Sequence, residues 1–98
     1  MPGINDAIRG RREIEFVYDG LSRIVQPAVH GINKGTHNEV VRGYQVGGRS
    51  KSSTAPQWKL FSVAKIRQLV VTERRFIAAP PDYDATASDL STVFAQLP

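Results

Sequence analysis

Glu13-Ile14-Glu15-Phe16-Val17-Tyr18-Asp19-Gly20 decides the fold class of this 98-residue chain. Ile14, Phe16 and Tyr18 alternate with Glu13, Glu15 and Asp19, the period of a strand with one buried and one wet face. Asp19-Gly20 then predicts a tight hairpin turn, because glycine takes positive φ at no steric cost. Downstream, Leu21 to Ile32 resumes as a second strand. Pro27 within it has no N–H to give a ladder, so it marks an edge or a bulge. Asn33 to Asn38 reads as a turn, and Glu39 to Val46 as a third strand with Val40, Arg42, Tyr44 and Val46 on one face. Gln57 to Val63 is a fourth strand carrying Trp58, Leu60 and Phe61. Ala64-Lys65-Ile66 is a tight turn, and Arg67 to Glu73 a fifth strand around Leu69, Val70 and Val71.

Upstream, Ile4, Ala7 and Ile8 form the apolar stripe of a short helix capped by Asn5 or Asp6, ending near Gly10 or Arg12. Past the fifth strand, Pro80-Pro81 breaks the chain. Leu90, Val93, Phe94 and Leu97 then fall at i, i+3, i+4 and i+7, which predicts a C-terminal amphipathic helix capped by Asp84, Thr86 or Ser88. That helix has to bury its stripe on the strands or on a partner. The expectation is therefore mainly β. Residues 1–76 would be a five-stranded small barrel or strongly bent sheet behind a short helix, and 77–98 a Pro-rich linker and helix.

The chain has no cysteine, which excludes disulfide staples, thiolate metal sites and a cysteine nucleophile. Hydrophobic content of 41% and charged content of 22% suit a folded domain. No stretch approaches a membrane span, and the start lacks a basic and apolar leader, so a cytoplasmic location is expected. Thirteen Lys and Arg stand against nine Asp and Glu, a net +4. The distribution is uneven. Residues 1–75 hold all thirteen bases and six acids, +7, whereas 76–98 hold three acids and no base, −3. Between residues 34 and 67, Lys34, Arg42, Arg49, Lys51, Lys59, Lys65 and Arg67 face Glu39 alone, with Tyr44, Trp58 and Phe61 interleaved. Cations that neutralise phosphate beside aromatics that stack bases are the ingredients of nucleic-acid sites on small barrels. The bland alternative is a solvated basic face over a core filled by the aromatics. Trp58 and Phe61 have opposite strand parity, so they cannot share one groove.

The order Ile4…Ala7-Ile8…Arg11-Arg12-Glu13-Ile14-Glu15-Phe16-Val17-Tyr18, Arg23-Ile24-Val25-Gln26-Pro27…Gly31, Val40-Val41-Arg42-Gly43-Tyr44, and Trp58-Lys59-Leu60-Phe61-Ser62-Val63-Ala64-Lys65-Ile66…Leu69 resembles the bacterial WYL domain. The resemblance runs from about residue 4 to 76. It implies a short helix followed by an Sm-like β-barrel, and a ligand-binding role in transcription regulators, many tied to phage defence. It also implies nucleotide or single-stranded nucleic-acid ligands held in a basic pocket. The tripeptide that names the family falls at Glu39-Val40-Val41, without its Trp and Tyr, and Lys59 and Lys65 stand where Arg is usual. Lys keeps the charge and loses the bidentate fork. Eleven residues ahead of the first strand leave no room within this sequence for a helix-turn-helix.

The expected function is thus a non-catalytic module. Arg23, Arg42, Arg49, Lys59 and Lys65 would contact phosphates, and Tyr44 would stack or hydrogen-bond. The alternative is an interaction or dimerisation module, an accessory subunit of a regulator or defence system. No cofactor is implied. The loop Gly47-Gly48-Arg49-Ser50-Lys51-Ser52-Ser53 has the composition of a phosphate cradle but not the spacing of a P-loop. His30 and His37, the only histidines, could serve as a general base or metal ligands, but with no cysteine and no evident carboxylate beside them the site is poor. Glu13 and Glu15 read as a solvated edge. Asp82 and Asp84 read as caps. The doublets Arg11-Arg12 and Arg74-Arg75 read as phosphate contacts or as flanks that deter aggregation.

Overall fold

The structure, a computed structural model, describes residues 3–48, 56–84 and 89–97. Arg12–Tyr18 (β1) and Leu21–Asn33 (β2) form the hairpin that the alternation predicts. Asp19 and Gly20 turn it with φ of 53° and 76°. Two successive positive φ values match the twist of the flanking strands. Glu39–Gly48 (β3), Gln57–Ser62 (β4), Arg67–Arg75 (β5) and Leu90–Gln96 (β6) complete one antiparallel sheet. Its order is β4-β3-β2-β1-β5, with β6 on β2. A short 3-10 turn, Val63–Lys65, links β4 to β5.

β4 and β5 do not pair, so the sheet is not closed. It is strongly curled all the same. Phe61 of β4 meets Phe16 and Tyr18 of β1 edge-on at 4.9 and 5.0 Å, although β3 and β2 lie between those strands in the sheet. Ala7, Ile14, Phe16, Val25 and Phe61 fill the inside of the curl. The single short helix, Ile4–Gly10 (α1), buries Ile4, Ala7 and Ile8 as its stripe requires. Gly3 is its N-cap, and the Gly3 N–H donates to the Asp6 carboxylate at 3.0 Å. A second core cluster gathers Ile4 and Ile8 with Val29, Val41, Phe76, Leu90 and Leu97.

β2 serves two partners along one edge. Leu21–Val25 pair with β1, and Val29–Asn33 with β6. Pro27 stands at the changeover, unpaired with either, and the β3 ladder slips between Pro27 and Val29. The bulge expected at Pro27 is present, inside a central strand.

The predicted C-terminal helix is not formed. Residues 90–96 are a strand, and the tail is part of the same sheet as β1 to β5. Three causes act together. Thr92, Val93 and Phe94 favour extended backbone. The edge of β2 beyond Pro27 carries N–H and C=O groups that need partners. Gly31 lets β6 approach, since a Cβ there would lie 2.1 Å from the Thr92 carbonyl oxygen. The β2–β6 ladder has two register shifts and buries Leu90, Ala95 and Leu97 while Val93 and Phe94 stay half exposed, so the helically spaced apolar set does not form one buried face. Among the described residues no helix is long and apolar enough to cross a membrane.

Candidate anion-binding and base-stacking surfaces

The curl closes around Arg23, a β2 side chain only 4% exposed. Its Cζ lies 5.5 Å from the Tyr18 ring centroid and 5.8 Å from that of Phe61. Nη1 donates to Gln45 Oε1 and Nη2 to the Tyr18 carbonyl, each at 3.3 Å. Both acceptors are neutral. Among the described residues no carboxylate pairs with this guanidinium, and its Nε has no partner. A buried cation costs several kcal/mol unless an anion accompanies it. Two ring faces offset part of that, about 0.5–2 kcal/mol each.

A second buried donor, Gln57 Nε2, is also unpartnered, and Gln57 stands directly opposite Gln45 in the β3–β4 ladder. Lys59 follows on the same strand face as Gln57 and Phe61. Lys65, in the turn after β4, places Nζ 5.4 Å from the Tyr18 centroid and 3.7 Å from Asp19 Oδ1. The Tyr18 hydroxyl accepts the Ser62 N–H at 3.0 Å, which pins the ring to the end of β4. Arg23 further lines a concavity of about 330 Å³, shared with Glu15, Ser22, Gly48, Gln68 and Val70. Pockets of this size accept small ligands.

Arg42 and Tyr44 lie on the opposite face of β3, as their alternation predicts. Tyr44 pairs across the ladder with Trp58, their rings 5.6 Å apart at 67°. Trp58 stacks in turn on Tyr83 at 6.2 Å and 24°, and its indole N–H donates to the Pro81 carbonyl at 2.7 Å. Arg42 forms an ion pair with Asp89. The Tyr83 hydroxyl donates to the Leu97 carbonyl at 2.7 Å. Burial, with the Asp84 charge, raises the Tyr83 phenol above its ordinary range, against the nearby Arg42 cation.

The six predicted residues are thus divided. Arg23 and Lys59 belong to the inner side, Lys65 is exposed in the turn after β4, Arg42 and Tyr44 belong to the other side, and Arg49 and most of its glycine-led loop lie outside the described residues. Trp58 and Phe61 sit on opposite faces, with Phe61 in the core and Trp58 half-buried. Thr86 and Ser88, named as caps, lie outside the described residues.

His30 is a fastening point. Its Nδ1 lies 2.6 Å from Asn5 Oδ1, its Nε2 lies 2.5 Å from Glu39 Oε2, and Phe94 covers the ring edge at 5.0 Å. The carboxylate partner that sequence spacing does not show is supplied by the β2–β3 register. With both nitrogens facing side-chain partners, the ring joins α1, β2, β3 and β6. His37 is exposed in its turn. Among the described residues no cluster of three His, Asp or Glu could hold a metal ion. The basic doublets also have structural work. Arg11 donates to the Ile77 carbonyl at 2.8 Å, and Arg74 bridges Glu13 and Glu15, the pair expected at a solvated edge.

Sequence reasoning did not select Tyr18, Gln45, Gln57, Tyr83 or Asp89. The strand pattern places Tyr18 on the buried face, but pairing of Gln45 with Gln57 requires the register. Tyr83 carries one signal, an aromatic between two acids just after Pro80-Pro81. No protein-family model, curated protein or solved structure matches this chain. Its chemistry is therefore argued from its own residues.

Proposed function

We propose that the chain is a non-catalytic, WYL-like regulatory module on an Sm-like barrel, acting in the cytoplasm, that recognises a nucleotide or single-stranded nucleic acid. The observation that carries this is Arg23, a buried cation with neutral hydrogen-bond acceptors and, among the described residues, no carboxylate and no partner for its Nε. Phosphate oxygen is the acceptor this arrangement calls for, since charge-assisted bonds to guanidinium are short and strong. Gln57 Nε2 supplies a second donor and Lys59 and Lys65 add charge, while Arg42 and Tyr44, on the other face, would form a separate contact. The strand order β4-β3-β2-β1-β5 behind a short helix, with a 3-10 turn between β4 and β5, supports the Sm-like assignment.

The test is fluorescence anisotropy of a labelled single-stranded oligonucleotide over a salt series. Counterion release makes the logarithm of the binding constant fall linearly with the logarithm of salt. Arg23→Gln removes the charge and weakens binding at every salt concentration. Binding that ignores salt, or no binding at low salt, refutes the proposal.

A second reading is an interaction module. Leu60, Val70, Val93 and Phe94 are each about half exposed, and Ile77 is 91% exposed. β4 and β5 end the sheet with unpaired edges, which other chains can extend. Sedimentation at micromolar concentration separates the two. A dimer that does not bind oligonucleotide favours interaction, and a monomer that does favours the first.

A further inference from the structure

The acidic segment after Pro80 occupies the Arg42–Tyr44–Trp58 face in the way a nucleotide would. A carboxylate, Asp89, sits on Arg42, where a phosphate would sit. An aromatic ring, Tyr83, stacks on Trp58, where a base would stack. A carbonyl, that of Pro81, takes the indole N–H at 2.7 Å. Asp89, one of the three acids of residues 76–98, thus meets Arg42 of a barrel region that carries +7.

We propose that residues 80–84 with Asp89 are a cis-acting cover, a built-in competitor that lowers the affinity of this face for single-stranded nucleic acid. This rests on the nucleic-acid reading above. One stack, one hydrogen bond and one part-exposed ion pair are weak in isolation; the ion pair contributes about 0.2–1 kcal/mol. A tethered segment, however, acts at an effective concentration of about millimolar, so weak contacts keep it seated. The face is then available only in the fraction of molecules whose cover is open, and the apparent dissociation constant rises by the inverse of that fraction. The competing role for the same contacts is a latch. Tyr83 also bonds the Leu97 carbonyl, which would hold the end of β6 in place without any ligand.

The variant Asp89→Asn separates the two roles, because it removes the charge opposite Arg42 and leaves Tyr83 on Leu97. Trp58 is the only tryptophan, so its fluorescence reports the face directly. The whole chain, Asp89→Asn and the charge-matched control Asp82→Asn are each titrated into a fluorescein-labelled oligothymidylate at low salt. Acrylamide quenching of Trp58 is followed in parallel, and circular dichroism checks the fold. The cover predicts stronger quenching and binding tighter by up to about fivefold in Asp89→Asn, the most a pair of this strength can hold back, neither in Asp82→Asn, and loss of the gain when Trp58→Ala is added. Equal gains in both Asn variants mean net charge is responsible and overturn the cover. Binding by the unmodified chain with no gain in Asp89→Asn also overturns it and leaves the nucleic-acid reading intact. If no variant binds oligonucleotide, both fall together.

Discussion

Replacing Arg23 with Met separates a ligand-binding cation from a structural one, because Met keeps the bulk and removes the charge. Two hydrogen bonds at 3.3 Å to neutral acceptors are lost. They are worth about 0.5–1.5 kcal/mol each. Contacts to the Tyr18 and Phe61 rings are lost too. They add about 0.5–2 kcal/mol each. Against this stands the burial of a guanidinium without a carboxylate, several kcal/mol, and an unpartnered Nε, about 1–3 kcal/mol. The balance favours Met by about 1–2 kcal/mol. For a domain of this size that raises the melting temperature by roughly 4–8 °C per kcal/mol. The assay is a thermal melt followed by circular dichroism at low salt, with and without oligonucleotide. The unmodified chain gains about 2.7 kcal/mol from ligand at one hundred times Kd, and the Met variant gains less at the same ligand concentration. A melting temperature lowered by more than about 4 °C refutes the reasoning. The guanidinium would then be holding the curl together, and its unsatisfied donor would no longer point to an external acceptor.

Gly31→Ala drives a methyl group into the Thr92 carbonyl and is expected to cost about 2–3 kcal/mol. Hydrogen exchange should quicken in residues 91–96 first, while β1 to β3 stay protected. Phe61→Ala empties the centre of the curl, where the ring is 1% exposed, and should cost about 3–5 kcal/mol in urea unfolding. The raised Tyr83 phenol gives a pH signature. Its stabilising contribution is complete below the ordinary tyrosine range and is lost as pH rises through the raised value, because the folded chain holds that proton more tightly. Tyr83→Phe should flatten that alkaline loss in a urea series; an unchanged slope argues against the phenol as its source.

What the sequence made legible was local. Ile14, Phe16 and Tyr18 named the first strand, Asp19-Gly20 its turn, and Ile4, Ala7 and Ile8 the helix stripe, each within one element's own period. The parity of Trp58 and Phe61 kept them out of one groove for the same reason, and the two rings pack against different core clusters. The C-terminal strand was illegible because its pattern is set by the bulged edge it joins, and that edge belongs to residues about 60 positions earlier. The site was half legible. Basic residue types were visible, but which side of a curled sheet each occupies depends on register. The paucity of carboxylates beside Arg23 is a three-dimensional fact. His30 and Glu39 illustrate the same limit, nine residues apart in sequence and joined only by a hairpin register.

The change of partner at Pro27 also sets an order of events. The β1–β2–β3 meander is built from near neighbours and can assemble early. Until β6 arrives, the stretch Val29–Asn33 offers an open ladder to whatever strand is closest. At high concentration that strand is the β6 of a neighbouring molecule. Exchange of C-terminal strands is therefore the misassembly this topology invites, and slow, dilute refolding is the condition that favours the monomer.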